Sequence, residues 1–288
     1  MPPTSHPNPL TRPDQPIWQR SDIPGHHRSR EVRIPIGSAW LHGDLVLPSH
    51  MKGLVLFAHG SGSGRHSSRN RLVAAALHQA GIGTLLLDLL TAQEEQVDAH
   101  TAEHRFNIAL LTDRLLAATL WVLQQPGLWE WPLGYFGAST GCAAALIAAA
   151  RLDGRIAAVV SRGGRPDLAG DVTLASVSAP TLLIVGGADR PVLALNTQAM
   201  AHLHCDKRLA IVPGAGHLFE EPGALQEVAR LASEWFGLYF RAQLLGQPTA
   251  SPQVHAWGVH RPRRTSPRDF LPLTRICPYL PARTSPST

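Results

Sequence analysis

Cysteine is scarce in this chain. Only Cys142, Cys205 and Cys277 occur in 288 residues. Their spacing matches no metal or redox motif, and an odd number argues against a disulfide framework. No apolar segment near the N-terminus has the form of a signal peptide, and no apolar run reaches the length of a membrane span. These absences lead to the expectation of a reducing, cytoplasmic setting, with no membrane partner and no cofactor or metal held by cysteine.

Acidic residues are missing from one place in particular. From Gln243 onward there are six arginines and a single acid, Asp269, so this segment alone carries the net charge of +5. Residues 1–242 balance at 20 basic and 20 acidic residues. The basic balance therefore gives no reason to expect a nucleic-acid partner for the folded body.

Proline is crowded at the two ends. Seven prolines lie in residues 1–29 and eight in 243–288, out of 24 in the chain. Both ends read as segments without a fold of their own, although Trp257, Phe270 and Tyr279 could dock locally. A folded body over 30–242 is left, long enough for one large α/β domain.

Within it, Glu31–Ile36 and Ala39–Leu47 alternate as a hairpin around Gly37-Ser38. Short apolar runs at 53–58, 84–87, 133–136, 156–160, 182–185 and 208–212 read as buried strands. Helices are expected over 71–80, 106–124, 192–202 and 223–240, with one more in the alanine-rich stretch after Gly141. Residues 89–102 read as an acidic loop. Alternating strands and helices imply a mostly parallel sheet covered on both faces.

The stretch GYFGASTGCAAAL joins a strand to a helix through Gly137-Ala138-Ser139-Thr140-Gly141. A serine on such a strained turn tolerates only very small residues two positions to either side. The following helix points its first N–H groups at the site. At the carboxyl ends of the other strands lie His59-Gly60-Ser61-Gly62, Asp88, Arg162 to Arg165, Asp189 and His217. Ser139, Asp189 and His217 follow the chain order of a serine hydrolase triad. In that reading His217 takes the serine proton and Asp189 orients the imidazole. Thr140 N–H is one oxyanion donor, and Ser61 N–H the second, with Gly62 N–H as its alternative.

Each residue also has a plainer reading. Asp189 can cap the next helix, and His217 can be a packed loop residue. The glycines of HGSGSGR lack the spacing of a dinucleotide or phosphate loop. Asp88 reads as a structural carboxylate that holds loop amides. Glu94 and Glu95 read as solvated, or paired with Arg69 or Arg71. Arg162 and Arg165 read first as solvated or ion-paired; the sharper reading is that they bind a substrate carboxylate or phosphate. Cys142 reads as packed. Glu220 and Glu221 read as the acidic first turn of the last helix.

The segments FAHGSGSGRHSSRN, LLLDLLTAQEE, GYFGASTGCAAAL, VVSRGGRPDLAG, PTLLIVGGADRPV and VPGAGHLFEEPGAL together resemble the dienelactone hydrolase family of α/β hydrolases. They look closest to a bacterial subgroup in which some members are fused to a phosphoribosyltransferase domain. The resemblance implies an α/β-hydrolase fold with about eight strands and a cytosolic hydrolase with Ser139, Asp189 and His217 as triad. Dienelactone hydrolases proper use a cysteine nucleophile, so serine in this position makes dienelactone a poor guess for the substrate.

About twenty residues separate the strand ending near Ser161 from Leu182, which leaves no room for a large cap domain. The expected activity is cleavage of a small ester, lactone or thioester. Acyl transfer on the same triad and a non-catalytic binding module are the alternatives. Oligomeric state is left open.

Overall fold

The computed structural model describes residues 28–246. The proline-rich segments read from the sequence, with Trp257, Phe270, Tyr279 and Cys277, lie almost wholly outside the described residues. At the two margins, residues 28–29 and 243–244 belong to regular elements.

The chain runs β1 (Arg28–Ile36), β2 (Ala39–Leu47), β3 (Leu54–Ala58), α1 (Ser68–Gln79), β4 (Gly83–Leu87), α2 (Ala92–Thr101), α3 (Ile108–Gln124) and β5 (Leu133–Ala138). It continues through α4 (Thr140–Arg151), β6 (Ile156–Arg162), a 3-10 turn (Pro166–Ala169), α5 (Asp171–Ser176), β7 (Thr181–Gly186), α6 (Arg190–His202), β8 (Lys207–Val212) and α7 (Ala224–Leu244). The eight strands form one sheet in the order β1-β2-β4-β3-β5-β6-β7-β8. β1–β2 and β2–β4 pair antiparallel and every later pair is parallel. The central strands are buried along their whole length, as continuous apolar runs require when both faces are covered.

Two hydrophobic layers flank the sheet. One packs α3, α4, α5 and α6 against Leu54, Leu56, Tyr135 and Val159. The other packs α1 and α7 against Val55, Phe57, Phe136 and Val160. On this second side α7 lies very close to the sheet. A Cβ on Gly134 would fall 2.6 Å from the Phe236 ring, and one on Gly53 would fall 2.3 Å from Phe240. Glycine at both positions lets the aromatic face of α7 reach the strands.

One segment departs from the sequence reading. Residues 92–101 form a helix, not a loop. Thr91 Oγ1 accepts from Glu94 N at 3.2 Å, and Glu94 Oε2 accepts from Thr91 N at 2.8 Å, a reciprocal capping box. Only Asp98 of this helix is buried, so no apolar period advertised it. Glu94 is paired with Arg114 at 2.6 Å, whereas Arg69 pairs with Glu220 and Arg71 with Asp44. Asp88 does hold a loop amide: its Oδ1 accepts from Arg65 N at 2.8 Å.

Candidate active site

The turn from β5 into α4 puts Ser139 at φ 49° and ψ −122°, a conformation that a residue with a Cβ adopts only under strain. What enforces it is close packing. A Cβ on Gly137 would lie 2.5 Å from Cys142 Cα, and one on Gly141 would lie 2.1 Å from Ala58 O. The turn is also pinned by backbone bonds. Ser139 N donates to Arg162 O at 3.3 Å, while Ser139 O accepts from Cys142 N and Arg165 N, both at 3.1 Å. The side chain is left half-buried at the carboxyl edge of the sheet.

Asp189 stands just past β7, at the N-cap position of α6, but its carboxylate makes no capping hydrogen bond. It accepts instead from His217 Nδ1 at 2.7 Å. That bond favours the tautomer with its proton on Nδ1, leaving the Nε2 lone pair outward. His217 comes from the loop between β8 and α7. Glu221 shapes this loop, its Oε1 accepting from Gly216 N at 2.9 Å. Glu220 and Glu221 thus precede the last helix, whose first turn carries Glu227, and do not form its acidic first turn. Gly163 lies beneath the imidazole: a Cβ there would be 3.6 Å from His217 Cε1. Ser139 and His217 are brought to the same edge without a direct hydrogen bond between their side chains.

Backbone donors without a carbonyl partner lie in the two segments that meet at the serine. Thr140 N–H opens α4 and has no intrahelical partner. In the loop after β3, the N–H groups of Ser61 and Gly62 bond no carbonyl among the described residues. This loop touches the turn, since a Cβ on Gly60 would fall 2.8 Å from Ser139 Cβ. His59 braces it. Its Nδ1 donates to Gly60 O at 2.9 Å and its Nε2 accepts from Leu89 N at 2.9 Å. Burial lowers the proton affinity of His59 below the ordinary histidine value, which keeps it neutral in this role. Beside the loop lies a cavity of about 130 Å³, bounded by Gly60, Ser61 and Gly62 on one side and Glu95, Arg105 and Leu111 on the other. Asp98 fixes Arg105 through a 2.6 Å ion pair. The sequence reading gave His59 and Glu221 no part in shaping the loops of the site and did not single out Arg105; of their contacts only that of His59 with Leu89 spans a long stretch of chain.

Arg162 and Arg165 part company. Arg165 is bidentate with Asp167, at 2.9 Å and 2.7 Å. Arg162, the last residue of β6, is 7% exposed and forms no ion pair among the described residues, contrary to the solvated or paired reading. Cys142 is sealed behind the turn, and burial pushes its thiol up to about 12. Among the described residues no cluster of His, Cys, Asp and Glu has the makings of a metal site, and no helix is long and apolar enough to cross a membrane.

The fold has close counterparts. A dienelactone hydrolase from Anabaena variabilis is 55% identical and superposes with a TM-score of 0.72, covering 74% of this chain and 98% of its own. The chain belongs to the dienelactone hydrolase-like family of α/β hydrolases. Two proteins from strains of Mycobacterium tuberculosis, provisionally named phosphoribosyl transferases, are 54% identical over 209 residues. This α/β hydrolase matches 46% of their length, so it spans about half of the curated relatives it resembles. Est1E from Butyrivibrio proteoclasticus shares the fold at 14% identity and a TM-score of 0.61, over 75% of this chain and 99% of its own. No family model matches the chain.

Proposed function

We propose that this α/β hydrolase is a serine hydrolase that cleaves a small ester, lactone or thioester through an acyl-enzyme. The observation that carries the reading is the 2.7 Å bond from His217 to Asp189, at the same sheet edge as a serine held at positive φ. A carboxylate engaged only in capping its helix, or a histidine packed in its loop, would not produce this pairing.

In the proposed cycle Ser139 Oγ attacks the substrate carbonyl carbon while His217 Nε2 takes the hydroxyl proton. The carbonyl electron pair moves to oxygen, facing Thr140 N–H and the N–H of Ser61 or Gly62. Removing one such donor raises the barrier by about 3–4 kcal/mol in a comparable site. Collapse breaks the bond to the leaving group, which receives the proton from His217. Water then repeats the sequence on the acyl-enzyme, releasing the acid and restoring Ser139. Asp189 holds the ring and stabilises the imidazolium at both steps.

We place the domain at roughly residues 30–242, in a cytoplasmic setting, with a small molecule as substrate. The dienelactone hydrolase from Anabaena variabilis, 55% identical, supports ester chemistry. The transfer reaction in the name of the mycobacterial relatives belongs to proteins of which this chain matches 46% and is not carried over.

A p-nitrophenyl acetate assay comparing wild type with Ser139→Ala tests the proposal, together with fluorophosphonate labelling of the folded protein. Loss of turnover in the variant and an adduct on Ser139 are expected. Equal rates, or no adduct, would overturn it in favour of a binding module on a hydrolase scaffold.

A further inference from the structure

The least satisfied charge in the described residues lies behind the candidate site, on the α1/α7 face of the sheet. Arg162 lies over the Phe136 ring, its guanidinium carbon 5.9 Å from the centroid. Its guanidinium makes no hydrogen bond and no ion pair among the described residues, and its Nη1 is fully buried without a partner. A cation removed from water in this way is unfavourable unless another charge or a set of acceptors compensates it, and one aromatic ring compensates weakly.

A second cation meets the same loop: a Cβ on Gly163, beside Arg162, would lie 3.4 Å from Phe219 Cε2, and Arg69 pairs with the adjoining Glu220. Burial, and then the positive charge of Arg69, bring the Arg162 guanidinium down to about 10. Arg69 belongs to the first turn of α1, and its Nε is likewise buried without a partner. Its Nη1 meets Glu220 Oε1 at 3.4 Å, a long contact to a side chain that is 69% exposed. Asp167, the acid nearest in sequence, is paired with Arg165.

We propose that Arg162 and Arg69 form a binding site for a compact oxyanion, the phosphate or carboxylate group of a ligand. A guanidinium donates only, so the unfilled N–H groups of the pair call for acceptors, and the charges call for an anion. The planar fork of Arg162 suits two oxygens of one group. Arg69 forms the outward side, and its loose contact with Glu220 is the one an entering anion displaces. Gly163 ties this site to the loop that carries His217. The site does not depend on the catalytic reading, because its evidence lies in the two arginines alone.

The test is titration of the full chain with inorganic phosphate and, separately, with acetate. Binding is read by calorimetry and by melting temperature, against sodium chloride at matched ionic strength. Wild type and Ser139→Ala should bind alike, so a failed hydrolase assay leaves this result standing. Saturation by phosphate alone assigns a phosphoryl ligand; saturation by acetate as well assigns a carboxylate.

Arg162→Met should abolish saturable binding and, in buffer free of both anions, melt above wild type, because it removes a buried uncompensated charge. Arg69→Gln should also lose binding and serves if the methionine variant does not fold. Glu220→Gln should tighten binding about threefold by removing the competing acid. No saturable response beyond chloride, or an Arg162→Met protein that binds like wild type, would overturn the proposal.

Discussion

The strain at Ser139 can be measured separately from its chemistry. Ser139→Ala and Ser139→Gly both remove the hydroxyl, so on the proposed mechanism both abolish turnover. They differ in one methyl group. At φ 49° and ψ −122° a Cβ is costly, by roughly 1–3 kcal/mol for a residue held in a sparsely populated region. Glycine relieves that cost. Against it stand the larger entropy of an unfolded chain with glycine, about 0.4–1 kcal/mol, and the lost contact of a half-buried methyl, at most about 0.8 kcal/mol.

The balance favours glycine by about 1 kcal/mol. For a folded body of this size, that corresponds to a melting temperature about 2–4 °C above the alanine variant. Paired thermal melts, backed by urea unfolding at one temperature, give the comparison. An alanine variant as stable as glycine, or more so, would refute the reasoning: the turn would then be set by its neighbours without strain at residue 139. The close approaches of Gly137 and Gly141 to backbone atoms would have to carry the geometry alone.

Three further outcomes follow from the contacts. Asp189→Asn should lower kcat on p-nitrophenyl acetate by about 10³- to 10⁴-fold with little change in KM, as loss of the tautomer-setting carboxylate does in other serine hydrolases; a fall below tenfold would remove Asp189 from the mechanism. Because burial holds His59 below its ordinary 6.5, the unfolded chain takes up this proton first. Stability should therefore be complete above pH 6.5 and fall as pH drops below it, by at most about 1.4 kcal/mol per pH unit from this group; urea melts from pH 7.5 to 5.5 should show that decline, and His59→Asn should flatten it. Cys142, buried and with its thiol raised to about 12, should escape iodoacetamide at pH 8 in the folded protein and react after unfolding. Peptide mapping that finds it alkylated in the native state would contradict its burial.

What the sequence made legible was set by how local the physics is. The buried strands announced themselves because a parallel sheet covered on both faces needs uninterrupted apolar runs, and 54–58, 133–138 and 181–186 are such runs. The turn around Ser139 was legible because steric exclusion of side chains acts within five residues. α2 was missed because its stability does not rest on an apolar face. Its capping box, Thr91 with Glu94, is nevertheless written in the sequence and would have found it. Arg162 was misread for the opposite reason. Arginine at a strand end is ordinarily solvated, and only the positions of Phe136, α1 and the β8–α7 loop bury this one. The bond from His217 to Asp189 joins residues 28 apart; chain order suggested it, but only the fold brings the two groups together.

The nearest family name invites a cysteine nucleophile, and the structure has a cysteine three residues from the elbow. Its position argues against that role. A Cβ on Gly164 would lie 2.7 Å from Cys142 Sγ and 2.0 Å from Ser161 Oγ, so the thiol is enclosed by β6 and the loop after it. To reach the sheet edge it would have to displace main chain, and a thiol held near 12 supplies almost no thiolate at neutral pH. The oxygen of Ser139 is the group left at the edge, and an oxygen nucleophile needs a base more than a thiolate does. That need fits an exposed histidine whose Nδ1 is already committed to a carboxylate. Between β6 and β7 the chain builds only a 3-10 turn and the short α5, so no cap domain is inserted at this point. On the proposed mechanism selectivity falls to the rim among the described residues: the loop after β3, α2 with its Arg105–Asp98 pair, and the cavity of about 130 Å³ between them. A cavity of that volume is comparable to one that holds a benzene ring, which on the proposed mechanism limits the group lodged there to a short or single-ring acyl or alcohol moiety.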